Sequence, residues 1–276
     1  MNEDPTLSLL IRKKVFSRLI SYTEVNILLK VKNHDADRHC LTLNVQVSIM
    51  SSYNNGANDS DTSVQVTSAM PEEENTATIA NYWYNLGFQG FKELGYEPDA
   101  IVSCLRIDVE LDGRSISVRS STTLSTAEIC ESMLKLTAYN QTTIAIINGG
   151  TVRIDDILRE TITQYDIIRT LPFGNRVIAL SVPGHLLAQV LTKGTSLKGN
   201  GIFIAYTRVE TFDGGNTWLL NGTDISKSGL YYDVATTAYI RDFTQLNKSY
   251  VITLHNANVT QTKSLMQYLT IKYSPC

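Results

Sequence analysis

Histidine is scarce in this sequence, and its few histidines are not grouped as the metal ligands of an enzyme are. The chain of 276 residues has four histidines, which are far apart: His34, His39, His185 and His255. None of them belongs to an HxH or HExxH pattern. A hydrolase with two metal ions needs about six carboxylate, amide and imidazole ligands around the pair. We therefore expect no metal-ligating residues and no cofactor in this chain.

The motifs of nucleophilic catalysis are missing as well. The sequence has no G-x-S-x-G elbow, no P-loop and no recognisable order of Ser, His and Asp. No residue is therefore predicted to be catalytic.

Charge and hydropathy exclude two further classes of partner. The net charge is −3, with 24 basic and 27 acidic residues, whereas binding to nucleic acid needs a concentrated basic face. No run approaches the ~18 apolar residues of a membrane span. The first residues lack the continuous apolar segment of a secretory signal. Either the protein is cytosolic, or the sequence begins within a longer one.

The cysteines leave the redox state open. Cys40, Cys104, Cys130 and Cys276 are widely separated and form no CxxC pair. Buried or free thiols are one interpretation, and one or two disulfides are the other.

Strand and helix patterns alternate along most of the chain. Strands are predicted over residues 41–49, 64–66, 105–111, 143–148, 176–182 and 231–240. Helices are predicted over residues 71–95, 163–171 and 184–194. A capping box at Ser125 and Glu128 predicts the start of one more helix. Asn221-Gly222 between two apolar runs predicts a hairpin, and residues 262–273 form a helix or a strand. The predicted fold class is mixed α/β, with a layered mixed sheet and flanking helices.

The segment IAIINGGTVR, residues 144–153, is the first candidate for a binding site. A buried strand ends at Asn148, and the two glycines that follow would leave backbone amides open to a ligand. The side chain of Arg153, three residues after Gly150, can extend to the same place. Its planar guanidinium group can there donate hydrogen bonds to a phosphate or a ribose hydroxyl. The alternative is a plain strand-to-turn junction with a solvated arginine.

A second candidate lies in the segment LPFGN, residues 171–175. The proline makes the loop rigid and so fixes the position of Phe173. Nucleobases stack on such rings for roughly 1–3 kcal/mol. The alternative is that Phe173 is an ordinary core residue.

Four segments in order resemble the C-terminal domain of the 5′-nucleotidase family. They are LDGRSISVRS (111–120), IAIINGGTVR (144–153), ITQYDIIRTLPFGN (162–175) and YYDVATTAY (231–239). Upstream, PEEENTATIANYWYNLGFQGFKELGYEP resembles the helix that joins the two domains of the family. LLKVKNHDADRHCLTL resembles the last strands of the metallophosphatase domain, those that follow its final metal-binding motif.

The resemblance implies three parts. Residues 1–70 are expected to be a remnant of the end of a calcineurin-like metallophosphatase domain. Residues 71–98 are expected to be the connecting helix, and residues 99–276 the 5′-nucleotidase C-terminal domain. On this view the chain starts after the ligands of the two divalent metal ions, which only a full-length parent would hold.

The resemblance also implies substrate-binding residues, which are Arg119, Asn148, Gly150, Thr151, Arg153, Phe173, Asn175 and Tyr239. The two arginines match those that grip the ribose and phosphate of a nucleotide. The residues from Asn148 to Thr151 match the loop beside the base and sugar. Phe173 and Tyr239 match the rings that sandwich the base, and Asn175 matches a polar contact to the base edge.

One departure concerns the ribose. After the V-A-T strand the family usually has G-G-D-G and an aromatic residue, whereas this chain has Arg241-Asp242-Phe243. Whether Asp242 replaces the family's ribose-binding aspartate stays open.

The implied function is the substrate-binding half of a 5′-nucleotidase-like hydrolase, inactive alone, whose full-length parent cleaves a nucleoside 5′-monophosphate or a related ester. The alternative is a non-catalytic or vestigial protein that binds a nucleoside or nucleotide. By resemblance the location would be extracellular or secretory, although no signal peptide is present in this sequence.

Overall fold

A computed structural model describes residues 7–16, 22–33, 41–52 and 74–273. The chain divides into two compact units, Met1–Tyr82 and Trp83–Cys276. The predicted division at residues 70 and 98 stays a prediction. No helix among the described residues is long and apolar enough to span a membrane.

The first unit contains an antiparallel sheet of three consecutive strands. These are β1 (Leu7–Phe16), β2 (Tyr22–Asn33) and β3 (Leu41–Ser52), in the order β1-β2-β3. Strand β3 confirms the strand predicted over residues 41–49. His34, His39 and the strand predicted at residues 64–66 lie outside the described residues.

Helix α1 (Glu74–Glu93) corresponds to the helix predicted over residues 71–95. Its end matches the expectation for Gly95, which has φ +81°. The N–H groups of Gly95 and Tyr96 donate to the carbonyls of Lys92 and Phe91, at 2.9 and 3.0 Å. A glycine in this left-handed conformation satisfies the last carbonyls of a helix without strain.

The second unit is built on a mixed sheet of five strands. In chain order these are β6 (Ile144–Asn148), β9 (Arg176–Pro183), β10 (Ile204–Thr207), β14 (Tyr231–Thr237) and β15 (Ile252–Thr260). Their order across the sheet is β10-β6-β14-β9-β15. Strands β6 and β14 are parallel, and the other neighbours are antiparallel.

Shorter elements complete this unit. The remaining strands are β4 (Ile101–Cys104), β5 (Leu111–Asp112), β7 (Ile157–Leu158), β8 (Thr161–Thr163), β11 (Val209–Glu210), β12 (Leu219–Leu220) and β13 (Thr223–Asp224). The helices are α2 (Ser115–Val118), α3 (Leu124–Leu136), α4 (Gln164–Thr170), α5 (Gly184–Ser196), α6 (Ala238–Phe243) and α7 (Gln261–Lys272). The final segment is therefore a helix.

The core lies on the central strands of this sheet. Strand β6 is buried along its whole length, as a central strand covered by helices requires. Helix α3 packs on β6, β10 and β14 and also on α7, while α5 packs on β9 and β10. These layers of helix and mixed sheet confirm the predicted fold class.

Two local predictions are confirmed, the start of the helix at Thr163 and the hairpin turn at Asn221-Gly222. Thr163 caps α4, and its hydroxyl and the Asp166 carboxylate form a reciprocal capping box. Asn221 and Gly222 join β12 to β13 with φ of 49° and 79°. Both residues adopt the positive φ that a tight type I′ hairpin turn needs.

Two other local predictions were wrong. Helix α3 begins at Leu124 with Thr123 as its cap, because the Thr123 hydroxyl accepts from the Thr126 N–H. Glu128 is instead buried against Lys272 and Tyr273. Of the strand predicted over residues 105–111, residues 105–110 are a loop between β4 and β5, and Ile107 in this loop is exposed.

Candidate functional site

The loops that carry the predicted binding residues meet at one edge of the five-stranded sheet. Because β6 and β14 are parallel, with Ala145 opposite Ala235, their carboxyl ends lie at the same edge. Strands β9 and β10 are antiparallel to them and therefore begin at this edge. The edge gathers residues 148–153, 171–175, 199–203 and 238–243. In open α/β sheets, ligands bind beyond the carboxyl ends of strands.

The Asn-Gly-Gly turn at the end of β6 packs tightly on its neighbours. The side-chain amide of Asn148 donates to the carbonyl of Gly201 at 3.0 Å. The N–H groups of Gly149 and Gly150 donate to the carbonyls of Phe203 and Gly201, both at 2.7 Å. The expectation that these two amides lie open to a ligand was therefore wrong. They are used to hold the loop before β10.

The two glycines of this turn are needed for close approach. A Cβ on Gly149 would lie 2.2 Å from the carbonyl oxygen of Val118, and one on Gly150 would lie 2.7 Å from that of Gly201. Neither distance is compatible with a side chain, so glycine is required at both positions. Gly150 thus shapes the site through its backbone.

Arg119 lies beside this turn, at the end of α2. Its Cα is 3.2 Å from the position that a Cβ on Gly149 would occupy, and its carbonyl accepts from the Gly199 N–H at 2.8 Å. Its Nε atom is buried and has no hydrogen-bond partner among the described residues. A buried donor without a partner is costly, which makes this guanidinium a candidate for ligand contact.

Thr151 and Asn175 are joined directly. The Thr151 side chain is buried, and its hydroxyl accepts from the Asn175 side-chain amide at 3.4 Å. The same hydroxyl donates to the Oε1 atom of Gln261 at 3.3 Å. Thr151 therefore connects the turn after β6 to the loop before β9.

Arg153 and Phe173 form the second contact between these loops. The guanidinium carbon of Arg153 lies 5.5 Å from the centroid of the Phe173 ring. The Arg153 N–H donates to the Thr170 carbonyl at 3.0 Å. Phe173 is 37% exposed, so the alternative of a core residue is wrong.

Tyr239 lies on α6, directly after β14, and not on the strand predicted over residues 231–240. Thr237 ends the strand and caps this helix by accepting from the Ile240 N–H. The Tyr239 ring is 37% exposed. Its centroid lies 4.5 Å from that of Phe243, which sequence reasoning missed as an aromatic neighbour. The i, i+4 spacing of two aromatic residues on a helix could have indicated it.

Asp242 takes part in a local ion pair. The Arg241 Nε donates to its carboxylate at 2.8 Å, and the Asp242 side chain is 54% exposed. No described contact connects it to the other candidate residues.

The remaining polar groups with metal or redox chemistry are dispersed. His185 contacts the Ser228 carbonyl from α5, whereas His255 packs against Tyr139 from β15. In the part of the chain that the structure describes, no three His, Cys, Asp or Glu side chains are grouped as a metal site needs.

Of the cysteines, Cys104 is disulfide-bonded. Cys130 is a free thiol whose burial raises its pKa.

Two surface hollows in the second unit are lined by other residues. One, of about 420 Å³, lies at the opposite edge of the sheet, where Thr143 precedes β6 and Arg208 follows β10. The other, of about 470 Å³, lies along α5. Neither contains a predicted binding residue, and we place the candidate site by the convergence of loops.

The solved structures most similar to this chain include two nucleotidases. A 5′-nucleotidase precursor from Thermus thermophilus matches with a TM-score of 0.61 and 19% identity, over 90% of this chain and 47% of that one. The NAD nucleotidase of Haemophilus influenzae matches with a TM-score of 0.50 and 17% identity, over 92% of this chain and 52% of that one. This chain thus spans about half the length of these proteins, and the likeness shows a shared fold.

Among curated protein sequences no significant match is found. The family model of the 5′-nucleotidase C-terminal domain matches residues 105–246, which is more than half of the chain and includes every predicted binding residue. The chain therefore belongs to the 5′-nucleotidase C-terminal domain family.

Proposed function

We propose that this chain binds a nucleoside 5′-monophosphate, or a related phosphate ester, at the edge of its five-stranded sheet. The observation that carries the proposal is the convergence there of two arginines and two exposed aromatic rings. Three of the four residues, Arg153, Phe173 and Tyr239, lie on segments that precede or follow the strands meeting at this edge. The fourth, Arg119, lies against the turn after β6.

Each group at the edge suits one part of a nucleotide. Phe173 and Tyr239 are partly exposed and offer apolar faces for stacking on a base. The Arg119 Nε and the Arg153 guanidinium supply donors and positive charge for phosphate or ribose oxygens. Asn175, on the same loop as Phe173 and bonded to Thr151, would supply a polar contact to the base edge.

We further propose that the chain serves as the substrate-binding half of a hydrolase in nucleotide catabolism. The cleavage step belongs to a dimetal centre in a full-length parent, since the sequence lacks the ligand set for two ions. Two divalent metal ions held by that parent would polarise the phosphate and activate water. In this chain the named residues only bind and orient the substrate.

The second candidate function is a binding protein without a catalytic parent. The observation that favours it is the pairing of Asp242 with Arg241 where the family usually has a ribose-binding aspartate. The metal-binding motifs D-x-H and G-N-H-D/E, found upstream in the same reading frame, would support the hydrolase over the binding protein. Their absence from the complete reading frame would decide for the binding protein.

Calorimetric titration of the purified chain with AMP, adenosine and inorganic phosphate tests the binding proposal. We expect saturable binding of AMP, weaker binding of adenosine, and no turnover of AMP with added Mn²⁺, Zn²⁺ or Co²⁺. Absence of AMP binding at millimolar concentration would refute the proposal. Turnover abolished by a chelator would refute the assignment of cleavage to another part of the protein.

A further inference from the structure

The first residue of helix α7, Gln261, is a buried polar residue at the same sheet edge. Strand β15 ends with Thr260 opposite Arg176, the first residue of β9, so α7 starts beside the loop that carries Phe173. Gln261 is 2% exposed. It lies beyond residues 105–246, which the family model matches, and it is absent from the predicted binding residues.

Its hydrogen bonds reach both loops of the candidate site. The Gln261 N–H donates to the Asn175 carbonyl at 2.8 Å. Its Oε1 accepts from the Thr151 hydroxyl at 3.3 Å, and its Nε2 lies 3.5 Å from the Met133 sulfur. A thioether has no hydrogen to donate, so the amide nitrogen belongs on the sulfur side and the oxygen on the Thr151 side.

This orientation sets the direction of the next hydrogen bond. The Thr151 hydroxyl has one hydrogen, and it is committed to Gln261. Its lone pairs then accept from the Asn175 side-chain amide at 3.4 Å. Asn175 is thus held at two points, its carbonyl by the Gln261 backbone and its amide through Thr151.

The next residue of α7 holds the other end of the same loop. The Thr262 hydroxyl, also buried, donates to the Leu171 carbonyl at 2.7 Å. Residues 171–175 are therefore fastened at both ends by the first turn of α7. Phe173 and its contact with Arg153 lie between these two points.

We propose that Gln261 is a positioning residue for nucleotide binding: through Thr151 it fixes the Asn175 amide and keeps the turn after β6 in register with the Phe173 loop. This inference rests on the proposed function. Gln261 acts on the ligand only through these neighbours.

A matched control is available on the same helix. Ser264 is equally buried in α7, but its hydroxyl bonds to Ser132 on α3, away from the site. Ser264→Ala therefore removes a buried hydrogen bond from α7 without touching either loop. Gln261→Met keeps the length of the side chain and its preference for helix, and it removes the acceptor for Thr151.

Urea denaturation first checks that each variant of the whole chain folds. Amide NMR spectra and AMP titrations are then compared between the variants and the unsubstituted chain. In Gln261→Met we expect shifted amide signals in residues 149–153 and 171–175 and AMP binding weakened about three- to ten-fold, the range of one neutral hydrogen bond. Ser264→Ala should keep these signals and bind AMP within about two-fold of the unsubstituted chain.

Unmoved loop signals, or unchanged AMP affinity, in folded Gln261→Met would overturn the proposal while leaving the binding function intact. If that variant fails to fold, Thr151→Val removes the same hydrogen bond between Thr151 and Gln261 by deleting the hydroxyl. The loop NMR signals and the AMP affinity of Thr151→Val then test the proposal. A native chain that binds no AMP refutes the proposed function itself, and with it the role of Gln261.

Discussion

Arg153 lies over the ring of Phe173, with 5.5 Å between its guanidinium carbon and the ring centroid. The two residues come from different loops, and the bond from the Arg153 N–H to the Thr170 carbonyl keeps those loops adjacent. A planar cation beside a partly exposed ring combines charge and stacking surface in one place. This pair is the centre of the proposed nucleotide site.

Replacing Arg153 should weaken the binding of AMP. We expect Arg153→Ala to cost roughly 1.5–3 kcal/mol, the usual worth of a charge-assisted hydrogen bond, as measured by calorimetry. Adenosine should lose less, because it lacks the phosphate. Equal losses for both ligands would place Arg153 on the ribose. Arg159→Ala is the control, since Arg159 is an exposed arginine in the same segment of the sequence and is paired with Glu110.

Replacing either aromatic residue should weaken the binding of the base. We expect Phe173→Leu or Tyr239→Leu to cost roughly 1–3 kcal/mol in the binding of adenosine, and Phe212→Leu, an exposed ring elsewhere, to cost nothing. In a complex with AMP the two ring centroids should lie about 7 Å apart, twice a stacking distance. Centroids more than ~12 Å apart in that complex would contradict the sandwich.

The two glycines that meet at the sheet edge should respond differently to alanine. A Cβ on Gly150 would lie 2.7 Å from the Gly201 carbonyl oxygen, whereas one on Gly201 would lie 3.6 Å from the Gly150 Cα. We expect Gly150→Ala to lower the free energy of unfolding by about 1–3 kcal/mol through overpacking, and Gly201→Ala to change it little. Urea denaturation measures both. Equal effects would show that the turn can relax.

Lys272 should stabilise the protein through the buried Glu128. Its Nζ lies 2.6 and 2.8 Å from the two carboxylate oxygens, and Glu128 is 2% exposed. Lys272→Met leaves the buried carboxylate without its cation. We expect a loss of about 2–4 kcal/mol in the free energy of unfolding, reduced from the fully buried case because Lys272 is 41% exposed. Lys263→Met, on the same helix, should have little effect.

This contribution has a defined dependence on pH. Burial lowers the pKa of Lys272, but the hydrogen bonds and charge of Glu128 outweigh it, so the pKa lies above its ordinary value of 10.5. A raised pKa stabilises the fold fully below the ordinary value and ceases to do so as pH rises through the raised value. The difference between the chain and Lys272→Met should therefore be constant from pH 7 to about 10. A difference that disappears near neutral pH would contradict the pair.

Local patterns predicted the strands and turns that bring the site together. Residues 143–148 and 176–182 predict strands, and the segment Thr163–Asp166 predicts the start of α4. Each of these depends on neighbouring residues alone, which is why the sequence is sufficient. The order of the four segments also predicted the family.

Long-range contacts set what the sequence could not predict. Glu128 fits a capping box by spacing, but a buried pairing with Lys272, 144 residues away, determines its position. The Gly149 and Gly150 amides look open in the sequence, because their acceptors at Phe203 and Gly201 come from a distant loop. Gln261 has no local pattern at all, and only the pairing of β15 with β9 brings it to the site.

The most direct measurement is a titration of the isotope-labelled chain with AMP, followed residue by residue in amide NMR spectra. We expect saturable shifts concentrated in residues 148–153, 171–175 and 238–243 and at Arg119. Shifts confined to the hollow lined by Glu131 and Arg208, or no shifts at millimolar AMP, would contradict this expectation.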